Sequence, residues 1–337
     1  MLNHSHRRLL LLIVSLAISI ITIIALFSLT TTLETYDILA EIQPLYLLAA
    51  IGMHFGAWIM WSSRLKLMSE FVGGDKDLNL LKSLKITLAS YFAACITPSQ
   101  FGGEPVRIYL LNKNGLTVGG GTAVVFGERA LDVVVVTIGA AISFLLFRSV
   151  FSQNTILCAV FTFIGACLCT GVAIIIYGLA KPEKAKKVFD FLFSKLKLKY
   201  RRLEEMKEKV GHELDNFFHT LRRFQCEGKV TIGLALLFTL AFWLAEFTIP
   251  SLILFGIGAD PVWIYSIAAQ FILLIIVAIP TTPGSSGVAE IGLASLYSAL
   301  IPAPLLGVFT VLWRLIVYYT NLVTGGFVSL KILGEMS

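Results

Sequence analysis

Thr97-Pro98-Ser99-Gln100-Phe101-Gly102-Gly103-Glu104-Pro105-Val106-Arg107 interrupts an otherwise apolar stretch. Thr282-Pro283-Gly284-Ser285-Ser286-Gly287-Val288-Ala289-Glu290 repeats the interruption in the second half of the chain. Both open with Thr-Pro, place a glycine five residues after the threonine and carry a glutamate close behind. Proline stops a helix by removing a backbone donor, and glycine permits the turn that follows. Non-helical backbone at membrane depth is tolerated only where protein or a water-filled cavity satisfies its polar groups. One such break in each half is the pattern of a transport site assembled from discontinuous helices.

The surrounding composition places these breaks in a membrane. Hydrophobic residues make up 57% of the 337, charged residues 14%, and the mean hydropathy is +0.84. Soluble domains carry about 25% charge, so the chain reads as an all-α polytopic membrane protein. The formal net charge is +6, and the segment 181–229 by itself holds an excess of that size. A basic excess confined to one loop marks the cytoplasmic side rather than a nucleic-acid partner. Four of the five cysteines (Cys95, Cys158, Cys167, Cys169) lie in apolar segments and Cys226 lies in the basic loop. They read as reduced packing residues, and no metal is expected.

Apolar segments at 9–29, 45–61, 122–147, 156–180, 230–255 and 303–330 are long enough to span a bilayer, which takes about 20 residues. The shorter segments flank the breaks. The expected fold is therefore six spanning helices plus two re-entrant helical hairpins, 84–97 with 104–112 and 262–280 with 288–301. Lys and Arg in short loops orient it. Arg7 and Arg8 put the N-terminus inside; Arg64, Lys66, Lys76, Lys82 and Lys85 put the next loop inside; Lys331 puts the C-terminus inside. Parity then makes the two breaks enter from opposite faces, as an inverted repeat; the alternative is that 262–280 and 288–301 each cross fully, which leaves the C-terminus inside as well, and charge does not separate the two. The division is one integral membrane domain, 1–337. It comprises an anchor helix and outer loop (1–43), a first half (44–180, break at 97–107), a basic cytoplasmic helical loop (181–229) and a second half (230–337, break at 281–290). The basic loop is expected to cap the cytoplasmic face or touch anionic head groups.

Charges inside spanning segments cost at least ~2.5 kcal/mol each and mark functional sites. Glu104, Arg107, Glu128, Arg129, Asp132, Glu246, Glu290 and Arg314 qualify. Five are acidic and three basic, so the acids need a further cation, a proton or a base reaching in from the boundary. Glu104 and Arg107 stand one helical turn apart and can pair. Pro105 suits a first turn, whose free N–H groups with Arg107 make an anion site. Glu128 and Asp132 share a helix face and need a cation between them, for which Arg314 is the natural partner. Glu246 is a candidate proton carrier, and His54 reads as a packing histidine. No Ser/His/Asp set, CxxC pair or P-loop occurs, so neither an enzyme nor a cofactor is expected.

Thr97-Pro98 with Gly102 to Arg107, then Glu128-Arg129-Ala130-Leu131-Asp132, then Pro283-Gly284 with Gly287 and Glu290 resemble three signature stretches of the flippase-like family. That family is the transmembrane region of lysylphosphatidylglycerol synthases and its stand-alone relatives. The resemblance covers essentially the whole chain, with Gly284-Ser285-Ser286-Gly287 standing where a Gly-Gly-Leu-Gly run is more usual. It implies translocation of a phosphate-containing lipid between leaflets of the cell membrane: a phospholipid, an aminoacylated phospholipid or a polyprenyl-phosphate-linked carrier. It implies no transferase activity in a chain without the synthase domain. A membrane-associated synthase or glycosyltransferase is a candidate partner. The head-group site takes Thr97, Pro98, Gly102, Gly103, Glu104 and Arg107 from the first break and Glu128, Arg129 and Asp132 from the helix after it. Thr282, Pro283, Gly284, Ser285, Gly287 and Glu290 come from the second break and Arg314 from the last helix. The rival readings are a proton-coupled carrier of a small solute and a non-transporting scaffold for a synthase or glycosyltransferase.

Overall fold

The computed structural model describes residues 40–73, 78–97, 101–146, 201–278, 284–298 and 300–336, with Thr282, Thr170 and scattered positions between 17 and 35. Among the described residues all regular structure is helical. In chain order the helices are α1 (Pro44–Val72), α2 (Leu80–Cys95), α3 (Gly103–Lys113), α4 (Val118–Leu146) and α5 (Arg201–Cys226). Then come α6 (Lys229–Gly256), α7 (Trp263–Val277), α8 (Val288–Tyr297), α9 (Ala303–Arg314) and α10 (Thr320–Met336). Four stretches among them are long and apolar enough to cross a membrane: α1, α4, α6 and the run Ala303–Glu335. These stand where spans were expected at 45–61, 122–147, 230–255 and 303–330. The expected spans 9–29 and 156–180 lie outside the described residues, apart from isolated positions.

Local chemistry sets the ends. Pro44 opens α1, where a missing N–H costs nothing. Gly73 closes it in the left-handed region at φ 101°, its N–H donating to the Ser69 and Glu70 carbonyls. Asn79 caps α2, its side chain accepting from the Lys82 N–H at 2.9 Å. α1 therefore runs well beyond residue 61, where the apolar segment was expected to end. Its buried face, Ala50, His54, Ala57, Trp61, Leu65 and Met68, keeps helical spacing throughout and carries Arg64 inward with it. Arg64 belongs to this helix, not to a cytoplasmic loop.

α1 and α6 pack along their lengths in antiparallel fashion, the Gln43 N–H donating to the Gly256 carbonyl at 2.8 Å. α10 lies against α2, and the Gly325 backbone approaches Leu88 closely enough to leave no room for a Cβ. α9 and α10 join through a π-helical turn, Leu315–Tyr319. α5 docks on the start of α4: the Gly119 N–H donates to Glu213 at 2.6 Å, and Phe217 meets Phe126 edge-on. Among the described residues two large apolar cores form, one centred on Ile249, Ile272, Leu293, Tyr297 and Phe309 and the other on Leu65, Met68, Leu111, Val124 and Phe224, with a small third cluster of Ala57, Trp61 and Phe242. Leu48, Ile142, Leu237, Leu244 and Phe327 remain exposed on the long helices and face lipid. A polar layer lies between the cores.

Candidate functional site

Glu128 is wholly buried and sits at the middle of that layer. A carboxylate without water needs several donors. Its Oε1 accepts from Arg64 Nε at 3.1 Å and from Trp61 Nε1 at 3.2 Å; its Oε2 accepts from Arg107 Nη1 at 2.8 Å. Arg64 also donates through Nη1 to Asp132 Oδ1 (2.7 Å) and Thr239 Oγ1 (2.8 Å), and through Nη2 to Asp132 Oδ2 (3.3 Å). The cation that Glu128 and Asp132 require on one helix face is thus Arg64 of α1. It is not Arg314, which corrects the sequence expectation. Helix rotation decides this: α1 turns Arg64 onto α4, whereas Arg314 lies over the second break.

Glu104 and Arg107 do not pair with each other either. Arg107 turns inward to Glu128 and Ser90, while Glu104 reaches Arg129, whose Nε donates to it at 2.8 Å. The buried carboxylate takes the buried guanidinium, because leaving Glu128 short of partners costs more than rearranging a half-exposed Glu104. Trp61 lies among three guanidinium groups, with Arg107 4.5 Å, Arg64 5.6 Å and Arg129 5.7 Å from its ring centre.

The breaks themselves are internally tied. Thr97 Oγ1 donates to the Ala93 carbonyl (2.8 Å) and accepts from the Gly102 N–H (2.8 Å). In the second break Gly284, Ser285 and Gly287 all adopt positive φ. Thr282 Oγ1 donates to the Ser286 carbonyl, and Ser285 Oγ to the Val277 carbonyl. Glu290 caps its own helix: Oε2 accepts from the Gly287 N–H at 2.7 Å, and Oε1 from Arg314 Nε at 2.7 Å. The Gly102 and Gly287 N–H groups are therefore occupied by side chains of the protein itself. A helix start buried in protein needs a built-in acceptor, and here Thr97 and Glu290 supply it.

The two breaks touch. The Gly284 N–H donates to the Thr97 carbonyl at 3.1 Å, and Tyr318 Oη donates to the Cys95 carbonyl at 3.2 Å. A Cβ on Gly284 would lie 2.6 Å from that same carbonyl oxygen, so glycine alone allows the approach. Beside the junction lies a cavity of about 170 Å³. Of the expected site residues, Gly103, Arg107, Arg129, Asp132, Glu246, Gly284, Ser285 and Arg314 line it. Thr97, Gly102, Glu104, Glu128, Thr282, Gly287 and Glu290 stand behind these and hold them. Pro98 and Pro283 lie outside the described residues. His54, Trp61, Tyr91, Trp243 and Gln270 also line the cavity and were not expected. His54 Nδ1 is 2.8 Å from Glu246 Oε1, so the histidine is that acid's partner. Helical spacing from Ala50 through Met68 was the signal that would have brought both His54 and Arg64 inward.

Helices spanning a membrane around a cavity walled by buried ion pairs define a polytopic membrane protein with an intramembrane polar site. The sequence model described as "Lysylphosphatidylglycerol synthase TM region" matches residues 12–325, and this chain belongs to that family. It is 34% identical over 314 residues to a UPF0104 membrane protein of Archaeoglobus fulgidus, covering 93% of this chain and 94% of that one. A UPF0104 membrane protein of Methanothermobacter thermautotrophicus is 25% identical over 294 residues, covering 82% and 81%.

Proposed function

We propose that this protein moves a phosphate-containing lipid between leaflets, as a flippase or scramblase. The head group occupies the cavity while the tails stay in surrounding lipid. One observation carries the reading: breaks from both halves of the chain meet at a single cavity whose wall holds Arg107, Arg129 and Arg314. Taking a phosphate through hydrocarbon without partners is prohibitive. Guanidinium forks match phosphate oxygens and lower that cost. Arg129 is the receiving group, since its side chain is 40% exposed and its partner Glu104 23% exposed. Arg107, almost fully buried against Glu128, shapes the wall.

On this reading α2 with α3 and α7 with α8 are re-entrant hairpins entering from opposite faces in an inverted repeat, with both termini cytoplasmic. Their lengths of 16, 11, 15 and 10 residues support it. At about 1.5 Å per residue even the longest falls short of a hydrocarbon core of ~30 Å. The parallel ties support it too: each break is followed by a glutamate bound to an arginine on a later helix, Glu104 to Arg129 and Glu290 to Arg314. The activity is transport without cofactor or metal. A membrane-bound synthase or glycosyltransferase that makes the lipid is the fitting partner.

Vesicles containing the purified protein and a fluorescent anionic phospholipid test the reading. Leaflet transfer, followed by quenching of the outer leaflet, is expected to exceed that of protein-free vesicles. Arg129→Gln is expected to slow it several-fold and Arg129→Lys to retain most of it. Equal rates with and without protein would end the proposal.

A further inference from the structure

Across the polar layer five carboxylates, Glu104, Glu128, Asp132, Glu246 and Glu290, face four arginines, Arg64, Arg107, Arg129 and Arg314. Glu246 is the acid whose partner is a histidine instead. Its side chain is 11% exposed and that of His54 1%. Pro250, four residues on, removes the helical N–H that would bond to the Glu246 carbonyl, so the helix is open just where the acid lies. A carboxylate accepts, so His54 Nδ1–H donates to it and the neutral ring turns a lone pair outward at Nε2. That atom is buried and has no partner among the described residues. Arg107, which lines the same cavity, also carries a buried atom without a described partner, Nε. Buried polar atoms of this kind are met by water or a ligand.

We infer that the His54–Glu246 pair is a proton-exchange site opening on the cavity, and that a phosphate anion enters together with one proton. The inference rests on the transport reading above. With neutral His54 the layer keeps one unbalanced negative charge, which repels a phosphate in a poorly solvated site. A proton taken up at Nε2 brings the layer to balance and turns that atom into an N–H donor facing the ligand's oxygens. Glu246 fixes the ring's orientation. When the lipid leaves on the far side, the proton at Nε2 returns to water there. The other titratable or charged groups lining the cavity are Tyr91 and Cys95 of α2, Arg107 of α3, Arg129 and Asp132 of α4, Arg314 of α9 and Tyr318 of the π-helical turn. Asp132 and the three arginines already have counter-charges in the network, and a neutral tyrosine does not change the balance.

Two measurements test this. In vesicles held across a gradient of one pH unit, an anionic fluorescent phospholipid is expected to accumulate in the leaflet on the alkaline side. The limit is about tenfold for one coupled proton. Glu246→Gln, which keeps the shape and an acceptor for His54, and His54→Gln are both expected to remove the bias. A leaflet ratio in the wild type that ignores the gradient, or a bias that survives Glu246→Gln, overturns the inference. The second measurement needs no lipid movement. Weakly buffered wild-type protein is expected to take up about one proton when glycerol phosphate is added, because linkage is reciprocal, and Glu246→Gln is expected to take up none. If vesicles show no transfer, uptake that depends on Glu246 still supports the site while the transport proposal fails. No uptake by the wild type overturns the site.

Discussion

Arg64 joins two acids, a threonine and a tryptophan ring in one contact. Its removal leaves Glu128 with Arg107 and Trp61 and leaves Asp132 with weaker donors, Trp243 at 3.3 Å and Arg129 at 3.6 Å. Breaking a buried pair from one side costs about 3–5 kcal/mol, more than the pair contributes when intact. Arg64→Leu is therefore expected to lower the unfolding midpoint of the purified protein sharply, and adding Asp132→Asn to recover part of the loss. An unchanged midpoint for Arg64→Leu would show that the two acids are not charged. The sequence made the acids conspicuous, because a carboxylate in an apolar segment is costly wherever it points. It could not reveal which arginine meets which acid. That choice is made by how each helix is rotated and packed, which turns Arg64 onto Asp132 and Arg314 onto Glu290.

Among the elements, the breaks were the most legible feature because their residues act locally. Pro98, Pro283 and the glycines that follow them disfavour a continuous helix through their own backbone chemistry. What sequence could not convey is how tightly each break is laced. Thr97 is both donor and acceptor within the first one, and the Gly102 N–H depends on it. Thr97→Val keeps the shape and removes both bonds, each worth about 1 kcal/mol. Hydrogen exchange of the amides around Gly102 is expected to accelerate in Thr97→Val and to stay near wild type in Thr97→Ser. Equal exchange in all three would mean that the backbone holds the turn unaided. The extent of α1 was hidden for a different reason. Apolar content falls after residue 61, yet the buried spacing continues to Met68. Reading hydropathy alone ends the helix where its inward-facing arginine begins.

The described residues form two large apolar cores and a small aromatic cluster about a charged layer, with α5 clamped to one end of α4. The clamp depends on Gly119, whose missing side chain lets the Glu213 backbone pass. Gly119→Leu is expected to lift α5, seen as faster hydrogen exchange across 210–224 while α1, α2 and α6 keep their protection. Protection retained in α5 would show that the aromatic contact of Phe217 suffices. The helical character of 201–226 was readable from its spacing; its seat on α4 was not, because glycine leaves no apolar mark to match. Beside the cavity, the π-helical turn Leu315–Tyr319 has a bearing on ancestry and insertion. Such a turn holds one residue more than an α-helix needs. In a continuous α-helix one added residue would turn everything beyond it by about 100°; taken up inside this turn, it leaves the helix beyond to keep its facing. Asn321 thus meets Trp58, which donates to it at 2.8 Å, and Gly325 meets Leu88. A single supernumerary residue is stored in 315–319, so a one-residue deletion there is the length change the last helix is built to absorb, whereas one between Thr320 and Gly325 would turn its contacts away.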